Sequence, residues 1–225
     1  MNNTDKQTVK GIFIAIISTI VIMLFAFYFM CNFSITVKAN SNINNNVANT
    51  LTKTQTTTDN HIIKLKQEII TEIDSYMDLI APKNKVNSIM LFELCDEYSI
   101  DVRFAMAQAQ IESHFGTCGT AAKTNSMFNV GAFDGHSAAK QKCNGYGYDT
   151  VNDSIEPYLK LLKKNYLVNG KTINHLMINY VNKYGMRYAS STQYEKMLRG
   201  VYNRINKTTK LDILLKEYNK YKHIV

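Results

Sequence analysis

The 225-residue chain has no Arg-rich block and no nucleic-acid-binding module. Its 26 basic residues are scattered among 18 acidic ones, so the net charge of +8 reads as a solvated surface and no nucleic-acid partner is expected. Basic charge of this kind still favours anionic partners such as acidic headgroups or wall polymers. The five histidines form no His-Glu-x-x-His and the cysteines no Cys-x-x-Cys, which argues against a metal site. No cofactor is expected, and no internal repeat is evident. One long stretch lacks charge altogether. Gly11 to Met30 reads GIFIAIISTIVIMLFAFYFM, about the length a helix needs to cross a bilayer core. Lys6 and Lys10 precede it and favour a cytoplasmic N-terminus, although Asp5 and Lys38 weaken that vote. A signal peptide cut after Ala39 is the competing reading, but the run exceeds the usual apolar core of about 7–15 residues. Cys31 follows Phe29 and Met30, which are too large for a lipid-attachment site. Either way, the chain beyond residue 40 is expected outside the cytoplasm.

What is present divides the chain. Residues 1–10 read as a cytoplasmic N-terminus, 11–30 as a transmembrane anchor, 31–60 as an Asn/Thr-rich linker and 61–225 as the folded domain. The linker has too few large apolar side chains to offset the entropy of ordering it. With hydrophobic residues at 45% of the chain, the remainder can build a core. Ile62, Leu65, Ile69, Ile73, Met77 and Ile80 recur at helical steps until Pro82. Further helices are predicted over Val86 to Glu97 and from an Asp101 cap to about Ser113. Gly116 to Asp149 has no long period and reads as loop, with room for a short hairpin. Helical pattern resumes near Ser154, with Pro157 in the first turn, and again from about Ile173 to Lys183. Thr192 and Glu195 are spaced as a capping box for a helix reaching about Ile205, and a last helix is predicted in Thr209 to Tyr221. The sum is a mainly α domain with one irregular lobe.

Ala107 to Gly116 reads AQAQIESHFG and sets Glu112 at the end of an apolar helical run. An acid at a helix end facing a cleft can be buried on one side with its tip reachable. Burial disfavours the ionised form, as a general acid near neutral pH requires. Thr124 to Gly131 reads TNSMFNVG. Together the segments resemble the glucosaminidase-type peptidoglycan hydrolases (mannosyl-glycoprotein endo-β-N-acetylglucosaminidase-like), whose signature is roughly A-Q-A-x-x-E-S-G-W-G followed by N-N-L-F-G-I. Tyr148 to Ile155, then Leu161, Leu162, Asn165 and Tyr166, resemble the family's next segments. Arg187, Tyr188 and Ala189, then Tyr194 and Lys196, resemble its Y-A-T-D-P-x-Y-x-x-K motif. The likeness covers about Val86 to Ile205. It implies a lysozyme-like helical fold with a small irregular or β lobe, and glycan strands of peptidoglycan as partner.

The resemblance further implies that Glu112 donates the proton to the departing oxygen and that Tyr188 lines the cleft and takes part in catalysis. Phe115, Asn125, Phe128 and Tyr194 are the expected substrate contacts. His114 and Phe115 replace the signature's Gly-Trp; an aromatic at 115 would keep a flat surface for a sugar ring. A second carboxylate usually comes from the irregular lobe, where Asp134 is the only acid between Gly116 and Gly147. Two schemes stay open: Asp134 as base, or assistance by the substrate's N-acetyl group, which needs only Glu112. Cys118 and Cys143 bracket the lobe, and an oxidising compartment would permit a disulfide between them. Cys95 reads as a buried free thiol. The expected activity is that of a membrane-anchored endo-β-N-acetylglucosaminidase. The rivals are a lytic transglycosylase on a related fold and a non-catalytic wall-binding or assembly module.

Overall fold

The computed structural model describes residues 58–130 and 147–222. The expected anchor at residues 11–30, nearly all of the linker, Asp134 and Cys143 lie outside the described residues. The chain divides between Asp59 and Asn60, just inside the first helix, and every later element lies in the second unit. Among the described residues there is no strand, only an isolated antiparallel bridge between Val181 and Arg187. No helix among them is long and apolar enough to cross a membrane.

Helix α1 covers 58–80 and buries Leu65, Ile69, Ile73 and Met77, the stripe expected from their spacing. Asn84 closes its end by donating from Nδ2 to the Ala81 carbonyl. Helix α2, Ser88–Glu97, starts at Asn87, whose side chain accepts from the Met90 N–H, and buries Leu91, Phe92 and Cys95. Burial pushes the Cys95 thiol far above its ordinary value, so it is an inert core residue.

Helix α3, Val102–Ser113, is the central element. Asp101 caps it by accepting from the Arg103 N–H at 2.9 Å. Every residue from 104 to 110 is buried, which polar Gln108 and Gln110 tolerate only with hydrogen-bond partners. Tyr76 supplies one, its hydroxyl donating to Gln110 Oε1 at 2.8 Å. Ala105, Ala107 and Ala109 keep the helix surface low, so neighbours approach closely.

After α3 come a short turn of helix α4, Ala121–Thr124, then a 3₁₀ turn Asn152–Ser154 leading into α5, Ile155–Leu161. A π turn, Leu162–Tyr166, extends α5. Helix α6 is only Ile173–Leu176. Helix α7, Tyr194–Thr208, lies along α3, and α8, Leu211–Tyr221, packs back onto α7. Arg103 joins the ends of this layer, with Nη2 on Asp101 and Nη1 on Asp212 of α8, each at 2.6 Å.

Two local expectations are corrected. The helix predicted from Ile173 to Lys183 stops at Leu176, and Ile178 lies 74% exposed. The capping box of Thr192 and Glu195 does not form; Gln193 precedes α7 and makes no side-chain cap bond. For the shortened helix the cause is distant: Glu195 Oε1 accepts the Tyr180 N–H at 2.9 Å, which takes that N–H from the helical ladder.

Candidate active site

The end of α3 is built by three consecutive left-handed residues: His114 at φ 45°, Phe115 at 57° and Gly116 at 80°. This turn ends the helix immediately after Glu112 and Ser113. Ser113 is buried and works as a clamp. Its hydroxyl donates to the Met127 carbonyl at 2.6 Å and accepts the Gly116 N–H at 2.8 Å. Ser154 grips the other side of the same residue by accepting the Met127 N–H at 3.1 Å. The two serines thus hold the 126–129 segment against α3, which brings Asn129 onto Glu112.

Glu112 is half-buried. Tyr194, the first residue of α7, donates its hydroxyl to Oε1 at 2.5 Å. Asn129 Nδ2 donates to Oε2 at 3.2 Å and to the main-chain carbonyl of Glu112 at 2.9 Å. Burial pushes the carboxyl's pKa up; the hydrogen bonds from Tyr194 and Asn129 oppose that but do not cancel it. The result is an acid that holds its hydrogen to higher pH than a solvated glutamate and whose ionised form has two donors ready.

Behind the carboxyl lies a set of packed tyrosines. Gln108, one helical turn before Glu112, accepts at Oε1 from Tyr158 at 2.5 Å and from Tyr180 at 2.8 Å. Tyr180 and Tyr188 stack at 4.6 Å, and Tyr188 lies 5.7 Å from Tyr194 between ring centroids. Burial raises the pKa of all four well above the ordinary phenol value, so they stay neutral. The segment carrying Tyr188 is tied to α7 by Arg187, whose Nη2 meets Glu195 Oε2 at 2.7 Å.

The predicted site residues are not placed alike. Tyr194, expected as a substrate contact, is 5% exposed and bonded to the acid. The Tyr188 hydroxyl donates to the Phe128 carbonyl at 2.9 Å, so this tyrosine supports the wall beside Glu112 and makes no hydrogen bond to its carboxyl. Phe115 and Phe128 are corrected outright. They are 1% and 0% exposed, and Phe128 stacks on Tyr158 at 3.6 Å, so neither offers a face to a sugar. Phe115 goes inward because the left-handed turn at the helix end folds it back under α3. Asn125 is also left-handed, and its Nδ2 donates to the carbonyls of Tyr148 and Asp149, pinning the two ends of the irregular lobe together. Cys118 is exposed. Asn129 and Gln108 were not anticipated as site residues. The signal for Gln108 was its spacing of four from Glu112, which places both on one helix face. For Asn129 no local signal points to the acid.

A concavity of about 370 Å³ sits at the opposite end of α3 from Glu112, between Asp96, Asp101, Leu215 and Lys222. Its charged groups are already paired, Asp96 with Lys222 at 2.6 Å and Asp101 with Arg103 at 2.6 Å.

A helical domain holding one proton-retaining carboxyl between a tyrosine and an amide has the makings of a glycoside hydrolase. The chain belongs to the Glucosaminidase family, described as mannosyl-glycoprotein endo-beta-N-acetylglucosaminidase, whose model matches residues 90–207, just over half of its length. That membership makes it a glycosidase of the peptidoglycan-acting kind, with a glycan as substrate. No curated protein matches the chain.

Proposed function

We propose that the protein is an endo-β-N-acetylglucosaminidase that cuts the glycan strands of peptidoglycan, with Glu112 as general acid. The observation that carries this reading is the half-buried Glu112 carboxyl with its raised proton affinity, set at the end of α3 against Tyr194 and Asn129. Protonation of the departing glycosidic oxygen needs such a group. Among the described residues, the hydrogen-bond partners of this carboxyl are Tyr194 and Asn129, neither of them an acid. A second catalytic carboxylate would stand about 5–9.5 Å off and make no such bond, so this arrangement serves either scheme, Asp134 as base or assistance by the substrate's N-acetyl group. Tyr194, which touches the carboxyl, takes the role beside the acid, and Tyr188 supports it through Phe128. The family's lysozyme-like arrangement agrees with a helical body centred on α3. The apolar run at residues 11–30 would hold this domain at the outer face of a membrane, within reach of the wall.

Glu112→Gln tests the assignment. The amide cannot supply the proton, so clearing of purified sacculi should stop while the far-ultraviolet circular dichroism stays unchanged; full retained lysis discards the role of Glu112. Mass spectrometry of the products checks the bond cut. Reducing N-acetylglucosamine ends support this reading, 1,6-anhydromuramic ends support a lytic transglycosylase, and sedimentation with sacculi without released fragments supports a binding module.

A further inference from the structure

Asn129 sits at φ 50°, a conformation that asparagine tolerates better than most residues with side chains. With Asn125 and Phe128 aligned on the signature N-N-L-F-G-I, position 129 stands where the signature has glycine. A glycine there would satisfy the backbone but would bring no amide to the acid. In this chain the amide makes two bonds to one residue, to the main-chain carbonyl and to the carboxyl of Glu112.

The first bond fixes the amide's direction. A carbonyl oxygen can only accept, so the group facing the Glu112 main-chain oxygen at 2.9 Å must be the Asn129 NH₂. That same NH₂ then faces Oε2 at 3.2 Å in every protonation state of the acid. A hydrogen on Oε2 would point at a group that has only hydrogens to offer. Oε1 faces the Tyr194 hydroxyl at 2.5 Å, which can accept as well as donate. We propose that Asn129 is a positioning residue that confines the acidic hydrogen of Glu112 to Oε1, the oxygen shared with Tyr194. The reaction then proceeds from one defined oxygen. The Oε1–H bond breaks, its hydrogen goes to the departing glycosidic oxygen, and its electron pair stays on the carboxylate. That carboxylate takes the Tyr194 O–H on Oε1 and keeps the Asn129 N–H on Oε2. Two donors thus meet the charge as it develops, with no rearrangement of the amide.

Among the described residues, the titratable groups that feel the charge of Glu112 are Tyr180, Tyr188 and Tyr194, all kept neutral by burial. The inference rests on the glycosidase reading for its consequence but not for its test. Asn129→Gly keeps the left-handed backbone and removes the NH₂ without adding a charge beside the acid. In full-length protein labelled with ¹³Cδ-glutamate, with the Glu112 signal assigned by its loss in Glu112→Gln, the carboxyl should titrate at higher pH in Asn129→Gly than in the wild type. The alkaline limb of kcat/KM on sacculi should move up with it. An unchanged or lowered midpoint in a folded variant overturns the proposal. A second variant covers the case of a misfolded first one. The infrared C=O stretch of protonated Glu112 should stay lowered in Tyr194→Phe, because the carbonyl oxygen is then Oε2, which keeps the Asn129 N–H; a rise to the frequency of a free carbonyl in that variant overturns the proposal equally. If wild-type protein leaves sacculi intact while both spectroscopic results hold, the glycosidase reading fails and the role of Asn129 stands.

Discussion

Gly116→Ala would strike the turn on which the acid depends, and its cost separates into two parts. Gly116 has φ +80°, and a left-handed conformation costs a residue with a Cβ about 1–2 kcal/mol. A Cβ placed there would also lie 2.6 Å from Val151 Cγ2, closer than two carbons can stand. Val151 is 7% exposed and packed in the core, so it cannot turn aside freely, and overpacking of this sort costs about 1–3 kcal/mol. The substitution should therefore remove about 2–5 kcal/mol, a large share of the stability of a typical domain. The second part can be isolated. Val151→Ala loses two methyl groups, costing about 1–2 kcal/mol alone, but it also removes the atom that the new Cβ would strike. The double variant should be more stable than the sum of the single costs predicts, by about 1–3 kcal/mol. Urea unfolding followed by far-ultraviolet circular dichroism measures all four corners of the cycle. Strict additivity would refute the steric argument and leave backbone strain as the whole effect. Rates of sacculus clearing should fall in step, because the Gly116 N–H bonds the same Ser113 hydroxyl that holds Met127.

Tyr194→Phe removes the donor on Glu112 Oε1, which favours the ionised form; the alkaline limb of the pH–rate profile should move to higher pH, and turnover should fall about ten- to hundredfold for one lost bond to a charged group. An unmoved limb would show that the hydroxyl does not act on the acid. Glu195→Ala should cost about 2–3 kcal/mol at neutral pH, because it strands the buried Tyr180 N–H. The pH dependence has a definite sign. Burial alone would raise the Glu195 pKa, but the backbone N–H groups of Tyr180 and Glu195 and the Arg187 guanidinium outweigh it and hold it below the ordinary value. Its stabilisation is therefore complete above the ordinary carboxylate range and lost as pH falls through the depressed native value. Thermal melts in acid should show that the variant loses less stability there than the wild type does; parallel losses would contradict the assignment.

Where a feature depends on neighbours in sequence, it was readable. The Asp101 cap, the apolar stripe of α1, the end of α3 at Ser113 and the last helix all follow from residues within a turn or two. The half-burial of Glu112 was readable for the same reason, since an apolar run leads into it. Its partners were not, because Asn129 is 17 residues away and Tyr194 is 82. Nothing in the spacing around Tyr188 and Tyr194 says which ring turns toward the carboxyl. That choice is made by Phe128, whose carbonyl takes the Tyr188 hydroxyl and leaves Tyr194 for Glu112. The same logic explains the helix that ended early. The period from Ile173 to Lys183 is real as a pattern, yet a helix there would have to use the Tyr180 N–H for the Leu176 carbonyl. Glu195 offers that N–H a charged acceptor instead, and Tyr180 swings inward to Gln108. A carboxylate that reads locally as a helix cap is thus spent on a distant backbone group. Its commitment to Tyr180 sets the 180–188 segment, and through Tyr188 and Phe128 it braces the wall against which Glu112 holds its hydrogen.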